Sequence, residues 1–258
     1  MTPLLALVVP CYNEAERLQP GAFREFLASH DGVRLIFVDD GSRDGTFALQ
    51  ERIRADAPGR VSILRMPSNR GKGEAVRLGI LEGIRSGAGI VGFWDADLAT
   101  PLDAVDDFLA IAARRPDLEI LIGSRVRLMG RDIRRQHGRH YLGRVFATAV
   151  SVSLDLPVYD TQCGAKLFRV TGEMASVFER PFHSPWIFDV EALARYLALP
   201  VGPGERPRES RIYEVAVRQW HHVPGSKLRW FDYIRSFFEL GFIHRRYRRR
   251  PAPRGRGC

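Results

Sequence analysis

The sequence predicts an α/β fold built on a mostly parallel sheet with helices on both faces. Short apolar runs alternate with amphipathic stretches of helical length through the first 123 residues. Polar clusters follow four of those runs at their carboxyl ends, where open parallel sheets collect ligands. With 258 residues and 45% apolar content, the chain suits one substantial core or two modest ones.

The apolar runs are LLALVV (4–9), RLIFV (34–38), VSILRM (61–66), GIVGFW (89–94) and EILIG (119–123), each of strand length. Helices are predicted between them near 14–29, 44–57, 72–86 and 102–115. Beyond Gly123 the pattern loosens. The Arg-rich segment 125–144 reads as a loop leading into a helix, followed by a strand at GAKLFRV and a helix around 186–198. A Gly/Pro-rich break (199–207), a strand at IYEVAV (212–217), the turn VPGSK and an amphipathic stretch WFDYIRSFFELGFI (230–243) complete it. We expect one domain over 1–243, with a regular half (1–123), a less regular half (124–243), and a disordered basic tail (244–258). No internal repeat occurs.

The net charge of +9 is concentrated in two places: seven Arg against one Asp in 124–144, and seven Arg with no acid from His244 onward. Such patches suit phosphate groups or an anionic membrane surface. Nucleic acid fits poorly, because carboxylates at four strand ends would repel a phosphate backbone. Cys11, Cys163 and Cys258 are widely spaced and form no C-x-x-C pair, which argues against a disulfide framework or zinc site. Cys163 reads as a packed small residue, since no nearby His pattern would activate it. A reducing cytoplasm is the expected setting. No segment approaches the roughly 18 apolar residues of a membrane span, and the N-terminus lacks the basic start of a signal peptide. Any membrane association is therefore expected to be peripheral, on the inner face.

The four clusters are PCYNE, DDGSRDGT, PSNRGKGEA and DADLATP. In DDGSRDGT, Asp44 or Ser42 can cap a helix with Gly41 turning, while Asp39 or Asp40 accepts hydrogen bonds from a base or ribose. Tyr12 can pack on a base or fill the sheet rim; Asn13 and Glu14 can simply begin the next helix. NRGKGEA lacks the G-x-x-x-x-G-K-[ST] spacing, so a Walker-type site is excluded, but Lys72 can still meet a phosphate at a helix N-terminus. In DADLATP, Asp95 and Asp97 stand two apart; on an extended segment they project to one side and can converge on a hard cation. Mg²⁺ or Mn²⁺ is held in this way, with substrate phosphates and water completing the shell. A metal carrying a diphosphate would reward keeping both charges at the end of an apolar strand.

Taken in order, VVPCYNE, FVDDGSRDGT, NRGKGEAVRLG and DADLATP resemble the family 2 glycosyltransferases of the GT-A fold. GSR, DTQCGAKLFR, WIFDVE and EVAVRQWHHVPGSKL look most like the polyprenyl-phosphate sugar transferases, in particular the dolichyl-phosphate β-glucosyltransferase branch. The resemblance implies that Pro10, Tyr12, Glu14 and Asp39 line the nucleotide pocket, with Lys72 nearby. Asp95 would face the nucleotide sugar or metal, and Asp97 would be the principal metal ligand. Arg125 and Arg139, with Arg131 in the same stretch, would receive the acceptor phosphate, which agrees with the bidentate pairing of Arg with phosphate oxygens. Asp160 would be a base or a turn former, Asp189 rather than Glu191 would point into the site, and Lys227 would close over a phosphate. The chain departs from the pattern at Pro185, where a basic residue is expected before Trp186, and it has no hydrophobic anchor of membrane-spanning length.

The implied reaction is an inverting single displacement: an acceptor oxygen attacks the anomeric carbon while the nucleoside diphosphate leaves. UDP-glucose and a polyprenyl phosphate are the implied substrates. A GDP-mannose-dependent polyprenyl-phosphate mannosyltransferase, a glycosyltransferase acting on a hydroxyl and a nucleotidyltransferase remain as alternatives. A hydroxyl acceptor would make Asp160 or Asp189 essential as base. The stretch from Trp230, with Phe231, Phe237, Phe238 and Phe242 ahead of the Arg cluster, has the composition of an interfacial helix; packing on the domain explains it equally well.

Overall fold

The computed structural model describes residues 4–134, 137–223 and 230–247. The first half runs β1 (Leu5–Cys11), α1 (Pro20–Ser29), β2 (Val33–Asp39), α2 (Thr46–Asp56), β3 (Val61–Arg65), α3 (Lys72–Arg85), β4 (Ile90–Trp94), α4 (Ala104–Arg114) and β5 (Ile120–Ser124). It continues through β6 (Asp132–Arg134), α5 (His137–Leu154), β7 (Ala165–Arg169), α6 (Gly172–Glu179), α7 (Phe188–Leu197), a short 3-10 turn (Arg208–Arg211), β8 (Ile212–Ala216), β9 (Gln219–His221) and α8 (Trp230–Tyr247). Seven strands form one sheet in the order β3-β2-β1-β4-β7-β5-β8. Its neighbours are parallel except for β7, which is antiparallel to both β4 and β5. Strands β6 and β9 form a separate parallel ribbon.

Side-chain alternation along each strand sends neighbours to opposite faces, and the sequence exploits both. Leu5, Leu7, Val9 and Cys11 of β1 join one core with Phe23 and Phe26 of α1 and Phe108 of α4. Ala6 and Val8 join the other, with Ala75, Val76 and Ile80 of α3, Met174 and Val177 of α6, and Leu193 and Tyr196 of α7. Full burial of each large aliphatic or aromatic side chain contributes about 1.5–3 kcal/mol. A third cluster joins Phe146 and Val150 of α5, Ile187 and Val190, and Leu240 and Ile243 of α8.

Helix α3 lies unusually close to the sheet. A Cβ at Gly79 would stand 2.3 Å from Val8 Cγ1, and one at Gly83 would stand 2.9 Å from Ala6 Cβ. This proximity brings the α3 N-terminus, which carries Lys72, beside the carboxyl end of β4.

All seven predicted strands are present, and several boundaries move. Residues 14–18 form a turn closed by Glu14 O, and α1 starts only at Pro20, whose fixed φ suits a first helical turn. Gly45 takes the cap position of α2 without a side-chain bond, but Asp44 Oδ1 accepts from Thr46 N, the first amide of the helix, at 3.0 Å, while Ser42 bonds to Asn13 N. The loop expected over the Arg-rich segment contains β6, and α6 was not anticipated. Helix α8 extends through His244–Tyr247, which sequence reading assigned to the tail; Ile243 is buried and Tyr247 bonds to Glu191, so the last turn is tied down. Residues 248–258 lie outside the described part. Among the described residues no helix is long and apolar enough to cross a membrane.

Candidate active site

Three loops at the carboxyl ends of β1, β2 and β3 are laced together by short polar side chains. Ser42 Oγ accepts from Asn13 N at 2.9 Å, Asn13 Oδ1 from Arg43 N at 2.9 Å, and Thr46 Oγ1 from Glu14 N at 2.7 Å. Asp44 accepts from Ala15 N with one oxygen and from Thr46 with the other. Asp40 spends both carboxylate oxygens on Arg70 N (2.7 Å) and Gly71 N (2.9 Å). It is therefore a brace for the β3–α3 loop, not an unoccupied acceptor for base or ribose. Gly41, at φ +71, passes so close to Ser68 that any Cβ would meet backbone at 2.6 Å.

These loops rim a cavity of about 820 Å³. Pro10, Tyr12, Glu14, Asp40, Lys72, Asp95, Asp97, Arg125 and Asp189, all singled out in the sequence, line it. At its floor Lys72 Nζ donates to Asp95 Oδ1. The backbone here is not extended, as the i, i+2 argument assumed. It turns at once after β4, with Leu98 N donating to Asp95 O and Leu98 itself at φ +51, a left-handed conformation rarely adopted outside glycine and asparagine. The two carboxylates face the cavity through this turn. Asp97 Oδ1 accepts from Ala99 N at 3.1 Å, and its Oδ2 lies 3.9 Å from Arg17.

Burial and the neighbouring Asp95 charge together push the Asp97 carboxyl above its ordinary value. Burial would lower the Lys72 ammonium, but Asp95 beside it, with Asp97 and Asp189 behind, holds it above its usual range. Among the described residues no three His, Cys, Asp or Glu side chains are grouped to hold a metal. A pair of carboxylates is nonetheless what a protein supplies to Mg²⁺ or Mn²⁺ when substrate phosphates fill the shell, and the residues present fit that donor set.

The remaining predicted residues are placed differently from one another. Asp39 is fully buried and lies behind the cavity wall; its Oδ1 accepts from Ser42 N at 3.0 Å, while its Oδ2 makes no hydrogen bond among the described residues and lies 3.5 Å from Arg65 Nε. Arg125 and Asp160, predicted for separate tasks, are bonded to each other: Nε and Nη2 of Arg125 donate to the two carboxylate oxygens at 2.6 and 2.8 Å. Burial alone would lower the Arg125 guanidinium, but Asp160 holds it above its ordinary value. A base role for Asp160 requires breaking that pair. Asp189, at the start of α7, is buried and raised by burial, against the pull of Lys166 Nζ at 3.3 Å. Glu191 turns the other way, accepting from His183 N, Arg195 and Tyr247, as the helical spacing anticipates. Arg131 does not line the cavity. Lys227 and the side chain of Arg139 lie outside the described residues.

Sequence reading missed several wall residues. Arg17, Arg70, Trp186, Trp220 and His222 line the cavity. Trp220 has the Arg125 guanidinium 5.3 Å from its ring centre, which steadies the cation. Gly164 is the least legible: its carbonyl accepts from Asp95 N at 2.9 Å, and the Asp95 carboxylate occupies the space a Cβ would take. The only signal in the chain is the dipeptide CG before the β7 run. Cys163, as expected, is a packed residue, its thiol raised by burial.

A parallel sheet whose strand ends gather an acidic turn, a lysine and a large cavity defines a nucleotide-sugar enzyme of the GT-A type. The glycosyl transferase family 2 model matches residues 6–173, and the chain belongs to that family. The chain is 34% identical to dolichyl-phosphate β-glucosyltransferase of Drosophila melanogaster, over 92% of this chain and 74% of that one. The Saccharomyces cerevisiae enzyme of the same name is 33% identical, with 87% and 69% covered, and the Homo sapiens enzyme 32%, with 95% and 76% covered. Glucosyl-3-phosphoglycerate synthase of Mycobacterium tuberculosis, crystallised with Mn²⁺, UDP-glucose and phosphoglyceric acid, superposes with a TM-score of 0.59 at 18% identity, covering 94% of this chain and 76% of that one; it shares the fold.

Proposed function

We propose that the chain transfers glucose from UDP-glucose to the phosphate of a polyprenyl lipid, with inversion at the anomeric carbon. The observation that carries this reading is the acidic turn Asp95–Asp97 set against Lys72 on the floor of a large cavity, in a chain about one third identical to dolichyl-phosphate β-glucosyltransferases. A divalent cation, Mg²⁺ or Mn²⁺, would be held by Asp97 and Asp95 and would supply Lewis-acid stabilisation of the departing nucleoside diphosphate. The Mn²⁺ and UDP-glucose of the structurally similar synthase support the same pairing.

The chain's own residues divide the remaining work. Pro10, Tyr12 and Glu14 form the nucleotide wall, and Asp39, buried behind it, braces the β2–α2 loop through Ser42 N. Lys72 meets the diphosphate. An acceptor phosphate monoester has a second pKa of about 6 and is largely dianionic near neutrality, so it needs positioning more than deprotonation. Arg125 is the positioning cation, its plane fixed by Asp160 beneath and Trp220 alongside. Arg139 and Lys227 are proposed as its partners.

The lipid tail gives a reason for the exposed apolar residues in the second half of the chain. Val145 and Val152 of α5 and Phe238 and Phe242 of α8 are exposed, and Leu128 and Met129 project from the loop between Arg127 and Arg131. We assign these, with the Arg-rich sequence after α8, to a peripheral contact with an anionic bilayer.

A second reading, transfer to a hydroxyl, is favoured by one observation: buried Asp189 faces the cavity with a raised carboxyl, as a general base requires. A donor panel of UDP-glucose and GDP-mannose, with and without a short polyprenyl phosphate, separates the cases. Release of UDP that depends on the polyprenyl phosphate is expected. Turnover with a hydroxyl acceptor alone, abolished in Asp189→Asn, would overturn the lipid reading.

A further inference from the structure

We propose that Lys72 is a resident counter-ion for the acidic turn, and that the donor diphosphate must draw it away before Asp95 can share a divalent cation with Asp97. Metal and nucleotide then bind together, and metal alone binds poorly. This rests on the metal and UDP-glucose reading of the site given above.

The charge arrangement leads there. Asp189, the third carboxylate of the floor, is matched by its own buried cation, Lys166, which also donates to Cys163 O at 2.6 Å. Arg17 is engaged with Glu14 and reaches Asp97 only at 3.9 Å. Among the described residues, the cation hydrogen-bonded to the acidic turn is Lys72, on Asp95, while Arg17 and Arg125 act on it from farther away.

The way Lys72 is mounted suits it to leave. Its backbone is fixed: Asp40 ties the amides of Arg70 and Gly71, and Gly71 at φ +94 ends the loop against Pro185. Its side chain is 36% exposed on a flexible four-carbon stem. A fixed root and a mobile tip let the ammonium pass from one anion to another without moving the helix. A divalent ion placed between the two carboxylates would sit within a few ångström of that ammonium. Even at water-like screening, repulsion between a double and a single positive charge at about 5 Å lowers metal affinity on the order of tenfold. A diphosphate removes the conflict by offering Lys72 a stronger partner. By linkage, whatever factor the nucleotide adds to metal affinity, the metal adds to nucleotide affinity.

The test measures Mn²⁺ binding directly, by the loss of the free-ion paramagnetic resonance signal, on the full chain with and without UDP. Without UDP, Lys72→Met and Lys72→Gln are expected to bind Mn²⁺ at least about tenfold more tightly than the unsubstituted protein. Lys72→Arg, which keeps the charge, is expected to stay weak, and the improvement given by UDP is expected to shrink in the neutral variants. Equal or weaker Mn²⁺ binding by both neutral variants, or tighter binding by Lys72→Arg as well, overturns the proposal. If the unsubstituted protein fails to bind Mn²⁺ even with UDP, or Asp97→Asn binds it equally well, the metal reading itself has failed and takes this inference with it.

Discussion

Gly164→Ala tests the geometry of the acidic turn with a single methyl group. Gly164 lies in the turn before β7, and its backbone holds Asp95 N; the Cβ of an alanine there would stand 1.9 Å from Asp95 Oδ2 and 2.1 Å from its Cγ. Real Cβ contacts stay above 3.0 Å, so the carboxylate must retreat by at least about 1 Å. The atoms in conflict end a partly exposed side chain, so the fold can yield locally and stability should change little. Catalysis should not yield so easily, since a 1 Å displacement of a positioning group costs about 10²-fold in rate, or about 2.7 kcal/mol. The assay is UDP release from UDP-glucose with a short polyprenyl phosphate, alongside thermal unfolding. Gly172→Ala, which meets nothing within 4 Å, is the control and should retain full activity. Full activity in Gly164→Ala would mean that the position of Asp95 does not matter.

Asp97→Asn should nearly abolish transfer while unfolding at the same temperature as the unsubstituted protein, or higher, at pH 7. The raised Asp97 carboxyl means the folded state keeps a proton that the unfolded chain has released, so ionising it opposes folding as pH rises; the advantage of Asn should vanish below about pH 4, where both states are protonated. Arg125→Ala leaves Asp160 buried without its bidentate partner and should lose about 3–5 kcal/mol in chemical denaturation, much of it recovered by adding Asp160→Asn; an unchanged midpoint would show the pair to be unimportant. Phe238→Asp with Phe242→Asp should weaken co-sedimentation with anionic vesicles, and equal binding would remove that face from the membrane contact.

The sheet was legible because β1, β2, β4 and β5 are nearly continuous apolar runs buried on both faces, and polar clusters follow β1 to β4. Strands β6 and β9 were not, since three residues carry no periodicity and their partners stand 87 positions apart in the chain. That Pro10, Tyr12, Glu14, Lys72, Asp95 and Asp97 would meet at one cavity was also legible, because carboxylates at the ends of buried strands need a reason. Their partners were not. Asp40 looks like a ligand acceptor until the amides of the next loop are placed against it, and Arg125 and Asp160, 35 residues apart, look independent until the fold joins them. Asp95 and Asp97 both reach the cavity, but by a turn with a left-handed Leu98 and not by the strand alternation expected. Gly164 was invisible because its role is to leave room for a side chain 69 positions earlier.

Analysis of the lipid product tests the central claim most directly. Incubated with UDP-glucose, Mn²⁺ and a short polyprenyl phosphate, the protein should yield UDP and an organic-soluble glucosyl phosphate in equal amounts, with the β configuration at the sugar carbon by proton coupling. An α-linked product, or UDP formed with no glucose in the lipid, would contradict the account.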